Sequence, residues 1–311
     1  MAAPGKAASA GAVTKVQGGL LHIERWFKAP PAKVFSAWSD PKLLPKFFWP
    51  VGTGRVDELE FKVGGRLVMG HTTEPWTATW TYVEIVPDER IVTRDPFPGT
   101  DVVATGTMEF IAENGGTRLK VTYGPFPKTG PYTIEGASVG FSMVMERLSE
   151  AAQVPGEGEG FELVRYLNAP AKRVWEMWTT KEGLQKWWAP SAGEMGYRLK
   201  VLKLDVRVGG EYAIEMRNAE HALVNHGVYT EVQPHRRLAQ RWDFDIFLGP
   251  GEKPYPIAIA IAFEEVPTMA PDVMGTRMTF TQGPMAKAEH TEGSRQGVIQ
   301  NLRHLAKALG E

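Results

Sequence analysis

The sequence contains one segment with the residue spacing of a hydrolase nucleophile. Residues 136–140 read GASVG and fit the G-x-S-x-G pattern, in which a serine on a strand-to-helix turn attacks an acyl carbon. That turn requires a parallel sheet, which the pattern of this chain does not predict. The segment that repeats it, residues 293–297 (GSRQG), carries arginine in place of the serine. We therefore interpret residues 136–140 as the start of a helix rich in small residues.

Histidine is the second residue type that could do chemistry. Seven histidines are scattered at positions 22, 71, 221, 226, 235, 290 and 304, without an H-E-x-x-H or H-x-H arrangement. The absence of cysteine excludes thiolate nucleophiles, disulfides, iron–sulfur clusters and cysteine-bound zinc. We therefore expect no metal and no cofactor. Tyr229 and His226 are the candidates for proton transfer, although an ordinary histidine at a strand end is the preferred interpretation of His226.

The charge balance argues against a general attraction to polyanions. The 311 residues include 35 Lys and Arg against 36 Asp and Glu, and a hydrophobic fraction of 43% predicts a folded globule. We expect no nucleic-acid partner and no membrane partner, because every apolar run is shorter than the roughly 20 residues of a membrane helix. Residues 1–19 lack the apolar core of a signal peptide, which predicts a disordered tail and a soluble, cytoplasmic protein.

The chain repeats itself with a period of about 150 residues. Residues 25–38 (RWFKAPPAKVFSAW) return as 165–178 (RYLNAPAKRVWEMW), and the VGG at 63–65 returns at 208–210. This period is too long for a solenoid repeat and indicates the tandem duplication of a whole domain.

Domain boundaries follow from the duplication. Residues 153–160 are rich in Gly, Pro and Glu, a composition typical of a linker. We predict a disordered tail at 1–19, a first domain at 20–152, a linker at 153–160 and a second domain at 161–311.

Each repeat has the same order of predicted elements. An opening strand ends at Ala-Pro, and two helices follow, the second of them capped by Asp40 or Thr180. Residues such as 202–208 and 257–263 then alternate in hydrophobicity and predict antiparallel strands with one buried face. A helix with apolar residues at helical spacing closes each repeat. The pattern predicts an α+β fold in which a curved antiparallel sheet surrounds a long C-terminal helix.

Several segments of the second repeat, in this order, resemble a known family. They are residues 169–178, 184–190, 208–212, 227–242 and 275–278. With them the chain resembles the homologues of the C-terminal domain of the heat-shock-protein ATPase activator, within the SRPBCC (START-like, birch-pollen-allergen-like) superfamily. The resemblance covers nearly all of residues 161–309 and, less closely, about 20–152. It implies two tandem helix-grip domains, each with a cavity between the sheet and the C-terminal helix.

The resemblance places many aromatic residues around these cavities, where their rings supply apolar contact area. The expected ligand-binding residues are Trp187, Trp188, Tyr212, Met216, Tyr229, Trp242 and Phe244 in the second repeat and Phe48, Trp49, Trp76, Trp80 and Tyr82 in the first. We interpret Trp38, Trp175 and Trp178 as core residues. The family usually has Gly-Trp near the start of the last helix, where this chain has Gly140-Phe141 and Gly297-Val298. This departure either widens the cavities or is repacked.

Three functions remain open from the sequence. We favour non-enzymatic binding of a small hydrophobic or aromatic molecule, for sequestration or stress response. The first alternative is an enzyme that resembles polyketide aromatase/cyclases or hydrolases and works without a metal, with Tyr229 or His226 moving protons. The second is a co-chaperone whose partner is a heat-shock ATPase.

Overall fold

The computed structural model describes residues 12–49, 53–73, 77–152, 158–245, 253–268 and 273–310. The chain forms two compact units. Unit 1 comprises the described residues up to 152, and unit 2 comprises those from 158 onward.

Unit 1 contains, in its described residues, an eight-stranded sheet and three helices. The strands are β1 (Val13–Gln17), β2 (Leu20–Phe27), β3 (Gly54–Leu59), β4 (Arg66–His71), β5 (Thr77–Val86), β6 (Arg90–Pro96), β7 (Val103–Glu113) and β8 (Gly116–Gly124). The helices are α1 (Pro31–Ser36), α2 (Leu44–Phe48) and α3 (Ile134–Ala152). The strand order is β1-β2-β8-β7-β6-β5-β4-β3, and all neighbouring strands are antiparallel.

Unit 2 repeats this plan with seven strands and three helices among the residues described. Its strands are β9 (Phe161–Leu167), β10 (Arg198–Leu204), β11 (Glu211–Arg217), β12 (Ala222–Gln233), β13 (Arg237–Phe244), β14 (Tyr255–Pro267) and β15 (Met274–Gln282). Its helices are α4 (Ala171–Thr179), α5 (Lys181–Glu194) and α6 (Ala288–Leu309). The strand order is β10-β11-β12-β13-β14-β15-β9, again antiparallel throughout.

The last helix of each unit packs its apolar side into the core of that unit. On α6, Leu302, Leu305 and Leu309 are buried in the core of unit 2. On α3, Met145 and Leu148 are buried in the core of unit 1. The predicted α+β architecture, two tandem helix-grip domains with an antiparallel sheet around a long C-terminal helix, is confirmed.

The structure differs from the sequence prediction at the start of unit 1. Residues 13–17 form β1, whereas composition predicted a disordered tail over 1–19. Val13 and Val16 are exposed, and β1 is held by its backbone ladder to β2. Because no side chain of β1 is buried, hydrophobicity could not reveal this strand. Residues 1–11, and residues 153–157 of the predicted linker, lie outside the described part of the chain.

The two predicted helix caps have different outcomes. Thr180 caps α5, and its side chain accepts a hydrogen bond from the backbone N–H of Gly183 at 2.9 Å. Asp40 instead accepts from the backbone N–H of Lys42 at 2.7 Å, in a turn that precedes α2. The cap was wrong at Asp40 because α2 begins only at Leu44.

The repeated Gly-Gly pair has a steric cause in both units. Gly64 and Gly209 have φ angles of +80° and +78°, a conformation that favours glycine. At Gly65 and Gly210 an added Cβ would lie 2.1 Å and 2.0 Å from a backbone carbonyl oxygen. Side chains larger than hydrogen are therefore excluded from this turn.

One buried hydrogen bond ties the last strand to the end of the first long strand in both units. Thr117 Oγ1 donates to the carbonyl oxygen of Ala29 at 2.7 Å, and Thr276 Oγ1 donates to that of Ala169 at 2.6 Å. Both threonines are completely buried. In each unit the alanine that accepts this bond is followed by the proline that precedes α1 or α4. The bond therefore fixes the point at which the chain leaves the sheet.

We expect Thr276→Val to destabilise unit 2 by about 1–3 kcal/mol, because the buried carbonyl of Ala169 loses its donor while the side-chain volume is kept. Amide hydrogen exchange of β9 and β15 as a function of urea measures the loss. Thr279→Val, at a half-buried position on the same strand, is the matched control. An equal loss of stability in the two variants would contradict the assignment.

Candidate functional site

Unit 2 encloses a cavity of about 470 Å³ between its sheet and the helices α5 and α6. All seven residues that the sequence analysis expected at a ligand site in this unit line it: Trp187, Trp188, Tyr212, Met216, Tyr229, Trp242 and Phe244. The cavity lies in the size range of small-molecule sites.

The period of the strands brings these side chains to one surface. On β11 the lining residues are Tyr212, Ile214 and Met216, at alternate positions. On β13 they are Leu238, Gln240, Trp242 and Phe244, again at alternate positions. Because alternate residues of a strand share one face, each strand contributes a row of apolar and aromatic groups to the same wall.

Aromatic rings contact one another along the cavity. The ring centroids of Trp178 and Trp187 are 4.7 Å apart, and those of Trp187 and Trp188 are 5.7 Å apart. On the sheet side, Trp242 lies 5.0 Å from Phe244. These contacts hold the rings in fixed orientations and leave their outer surfaces as the lining of the cavity.

Trp178 is a lining residue that the sequence analysis assigned to the core. It follows Val174 by one helical turn in α4, and this spacing indicates a buried face without separating core from cavity. Gln282, His290 and Asn301 also line the cavity and were not expected there. Their polar type gave no signal, because the apolar pattern alone defined the predicted buried faces.

The wall formed by α6 contains two glycines one turn apart. Gly293 and Gly297 line the cavity, and a Cβ added at either position would meet no other atom within 4 Å. Val298 stands where the related family has tryptophan, and it too lines the cavity. The open space beside this helix is therefore a consequence of three small residues.

Five polar atoms at the cavity are buried and have no hydrogen-bond partner among the described residues. They are Trp178 Nε1, Tyr212 Oη, Trp242 Nε1, Gln282 Nε2 and His290 Nδ1. By contrast, Trp187 Nε1 donates to the carbonyl oxygen of Met177 at 2.7 Å. Since buried polar groups in folded proteins are nearly always paired, these five atoms are positions at which water or a bound molecule can supply the partner.

The comparison with known families was made on this structural basis. A family model described as "Activator of Hsp90 ATPase homolog 1-like protein" matches residues 28–153 and 168–310. The chain belongs to this family. One match falls in each unit, so the resemblance drawn from the sequence is confirmed. No protein of curated function matches the sequence.

Solved structures are similar to this family member over one unit or both. Protein CV1439 from Chromobacterium violaceum is 26% identical and covers 49% of this chain and 98% of its own, with a TM-score of 0.41. Ms6760 from Mycobacterium smegmatis is 19% identical and covers 47% and 98%, with a TM-score of 0.39. DynU16, a protein in the dynemicin biosynthetic locus, is 12% identical and covers 94% and 98%, with a TM-score of 0.37.

The two candidates for proton transfer are separated in this member of the family. Tyr229 lines the cavity, and burial raises the pKa of its phenol well above the usual range, so it is neutral at physiological pH. His226 lies on β12 beside Asn225, which lines the cavity, and therefore points to the opposite face of the strand. Its Nε2 is 3.0 Å from Asp245 Oδ2, and its side chain is about one-third exposed. The structure does not bring His226 into the cavity.

Residues 136–140 lie in the first turns of α3, and the strand before them, β8, belongs to an antiparallel sheet. The arrangement required for a nucleophile elbow is therefore missing here, and the interpretation as a helix start is confirmed. Within the described residues, no helix has both the length and the hydropathy to cross a membrane.

The aromatic residues expected at a ligand site in unit 1 pack against one another. Trp80 lies 5.2 Å from Phe48 and 6.4 Å from Trp38 between ring centroids. Trp49, Trp80 and Tyr82 are buried in the core of the unit. Trp76, the fifth predicted residue, lies outside the described residues.

Unit 1 has a carboxyl group in its interior, at a position where unit 2 has a cavity residue. Asp95 is the sixth residue of β6, as Trp242 is the sixth residue of β13. It accepts a hydrogen bond from the hydroxyl of Tyr123. Burial raises the pKa of Asp95 to about 6, and the hydrogen bond from Tyr123 opposes that rise.

We expect the contribution of Asp95 to the stability of unit 1 to fall as pH rises from about 4 to 6, because folding raises the pKa of Asp95 and the ionised carboxylate is buried at a cost. Asp95→Asn removes this ionisation. From pH 4 to pH 7 its unfolding free energy should increase by about 2 kcal/mol relative to the wild type, since each pKa unit of difference between the folded and unfolded states corresponds to about 1.4 kcal/mol.

Urea unfolding of unit 1 at several pH values, followed by amide exchange in β6 and β8, measures this difference. Asp101→Asn, at an exposed position of the same unit, is the control. A difference between Asp95→Asn and wild type that stays constant from pH 4 to pH 7 would rule out the assignment.

Proposed function

We propose that unit 2 binds a small hydrophobic or aromatic molecule in the cavity between its sheet and α6. The observation that carries the proposal is the cavity of about 470 Å³ lined by tryptophan, tyrosine and phenylalanine rings. A well-packed protein interior leaves few voids larger than a water molecule, so a space of this size among apolar side chains is not explained by folding alone.

The rim of the cavity supports the entry of a ligand. Met195, at the end of α5, is 44% exposed although it lines the cavity. Glu289, near the start of α6, is exposed and also lines the cavity. At these two residues the lining of the cavity reaches the protein surface.

Binding is the function that the aromatic lining favours. Tyr212 and Tyr229 are buried phenols whose pKa values are raised by burial, so neither is a base at neutral pH. Glu289 lines the cavity and is exposed to solvent. The arrangement supports the holding and orientation of a molecule.

We expect Gly297→Leu to abolish binding while it stabilises the protein. The leucine side chain enters open space in the cavity, and replacement of a helical glycine gains about 0.5–1 kcal/mol of helix stability. N-phenyl-1-naphthylamine, a neutral dye that fluoresces in apolar surroundings, is the probe. Wild type should bind it saturably, and the variant should lose one site per chain.

The matched control is Gly193→Leu, at an exposed helical glycine of α5 that also has open space around it and does not line the cavity. This control should bind the dye like wild type. The proposal is rejected if Gly297→Leu retains wild-type affinity. It is also rejected if wild type binds no dye and native mass spectrometry finds no small molecule retained by the purified protein.

A further inference from the structure

Two deeply buried groups in the cavity of unit 2 lack an acceptor among the described residues. Trp242 is 8% exposed and Gln282 is 3% exposed, and Trp242 Nε1 and Gln282 Nε2 are both unpaired. The indole N–H is a donor only. For Gln282, the hydroxyl of Ser294 lies 3.0 Å from Oε1, which leaves the amide N–H group without a partner.

The duplicated fold provides an internal comparison for these two groups. Trp242 and Gln282 occupy the same places in the sheet of unit 2 as Asp95 and Tyr123 do in unit 1. In both units the two residues lie on strands that flank one middle strand, and their backbone pairing partners on that middle strand are two residues apart. In unit 1 the hydroxyl of Tyr123 donates to the carboxylate of Asp95, so donor and acceptor satisfy each other. In unit 2 the amide oxygen of Gln282 accepts from Ser294, and Trp242 Nε1 and Gln282 Nε2 have no acceptor among the described residues. Unit 1 pairs these two positions with each other, whereas unit 2 leaves a donor at each of them.

Other donors lie around the same space. Trp178 Nε1 is likewise buried and unpaired. The hydroxyl of Tyr212 is unpaired too, and because burial raises its pKa it keeps its proton. The cavity thus offers several N–H and O–H groups and an otherwise largely apolar wall.

The charge of the lining is the second constraint on the ligand. Among the described residues that line the cavity, none is lysine or arginine, and Glu289 is the one carboxylate. A carboxylate or phosphate group moved from water to this wall would lose its hydration without meeting a lysine or an arginine among the described lining residues. The lining therefore disfavours anions.

We infer that the molecule bound by unit 2 is uncharged and carries carbonyl, ether or hydroxyl oxygens that accept hydrogen bonds from Trp242 and Gln282. This inference rests on the proposed function and narrows it from apolar molecules in general to oxygenated neutral ones. Simple hydrocarbons leave the donors unpaired, and fatty-acid carboxylates bring a charge that the wall does not neutralise.

Three probes of nearly the same shape separate these classes. They are 2-acetonaphthone, which has a neutral carbonyl group, 2-ethylnaphthalene, which has no acceptor, and 2-naphthoate, which has a carboxylate. Equilibrium dialysis against the full chain gives the three dissociation constants at pH 7.5. We expect 2-acetonaphthone to bind at least about tenfold more tightly than either of the others, a ratio typical of one buried hydrogen bond.

Variants test which residues supply the donors. Trp242→Phe and Gln282→Leu should lower the ratio of 2-acetonaphthone affinity to 2-ethylnaphthalene affinity by about tenfold, because lost apolar contact weakens both probes and a lost donor weakens only the probe that carries an acceptor. Trp175→Phe is the matched control, since Trp175 is a buried indole of α4 in the same unit that does not line the cavity. Its preference for 2-acetonaphthone should be unchanged.

The outcomes distinguish failure of the inference from failure of the proposed function. If 2-ethylnaphthalene binds as tightly as 2-acetonaphthone, water pairs the donors and the inference is wrong, although binding itself stands. Tighter binding of 2-naphthoate also overturns the inference. If none of the three probes binds, both the proposed function and the inference are rejected. The comparison of probes on wild type remains decisive even if a variant fails to fold.

Discussion

Each unit depends on the burial of its last helix against the curved sheet. A single sheet with one apolar face is stable only when another layer covers that face. In unit 2 the C-terminal half of α6 does so with Leu302, Leu305 and Leu309. Its N-terminal half has Gly293 and Gly297 instead. The cavity is the space that remains between the sheet and the N-terminal half of α6.

In unit 1 the last helix contacts the sheet through aromatic rings at the corresponding position. Phe141, near the start of α3, lies 5.1 Å from Tyr123 between ring centroids. Phe126 and Phe97 also pack on Tyr123 or on each other. In unit 2 the residue equivalent to Phe141 is Val298, which lines the cavity. At this position the same plan of strands and helices therefore packs a phenylalanine ring on Tyr123 in unit 1 and leaves a cavity-lining valine in unit 2.

The sequence was sufficient for the fold because the fold depends on periodicity. Three features can be recognised in the amino-acid sequence itself: the alternation of the strands, the duplication, and the helical spacing of Leu302, Leu305 and Leu309. The apolar and aromatic wall of the site followed from the same alternation. For His226 the sequence favoured an ordinary histidine without deciding which face it occupies, because a shift of one residue along β12 moves a side chain to the other face and the end of a strand cannot be located that closely from sequence.

The polar part of the site could not be predicted, because it depends on which groups remain unpaired. Trp178 and Trp187 are both tryptophans beside the cavity, yet Trp187 has a backbone acceptor and Trp178 has none among the described residues. The difference arises because Trp187 on α5 lies within reach of the carbonyl oxygen of Met177 on α4, and no residue type encodes this placement. Asp95 was missed for a related reason, since an isolated aspartate in a strand is usually exposed.

The two glycines on α6 increase the volume of the cavity and lower the stability of the helix. Each gives up about 1 kcal/mol of helix stability relative to alanine, and each leaves space that any side chain would enter. Replacement of either glycine by a residue that stabilises the helix therefore reduces the cavity volume. A single substitution is enough, and it leaves the sheet intact. The range of molecules that such a domain admits can thus change within a few mutational steps, while the strand register and the covering helix persist.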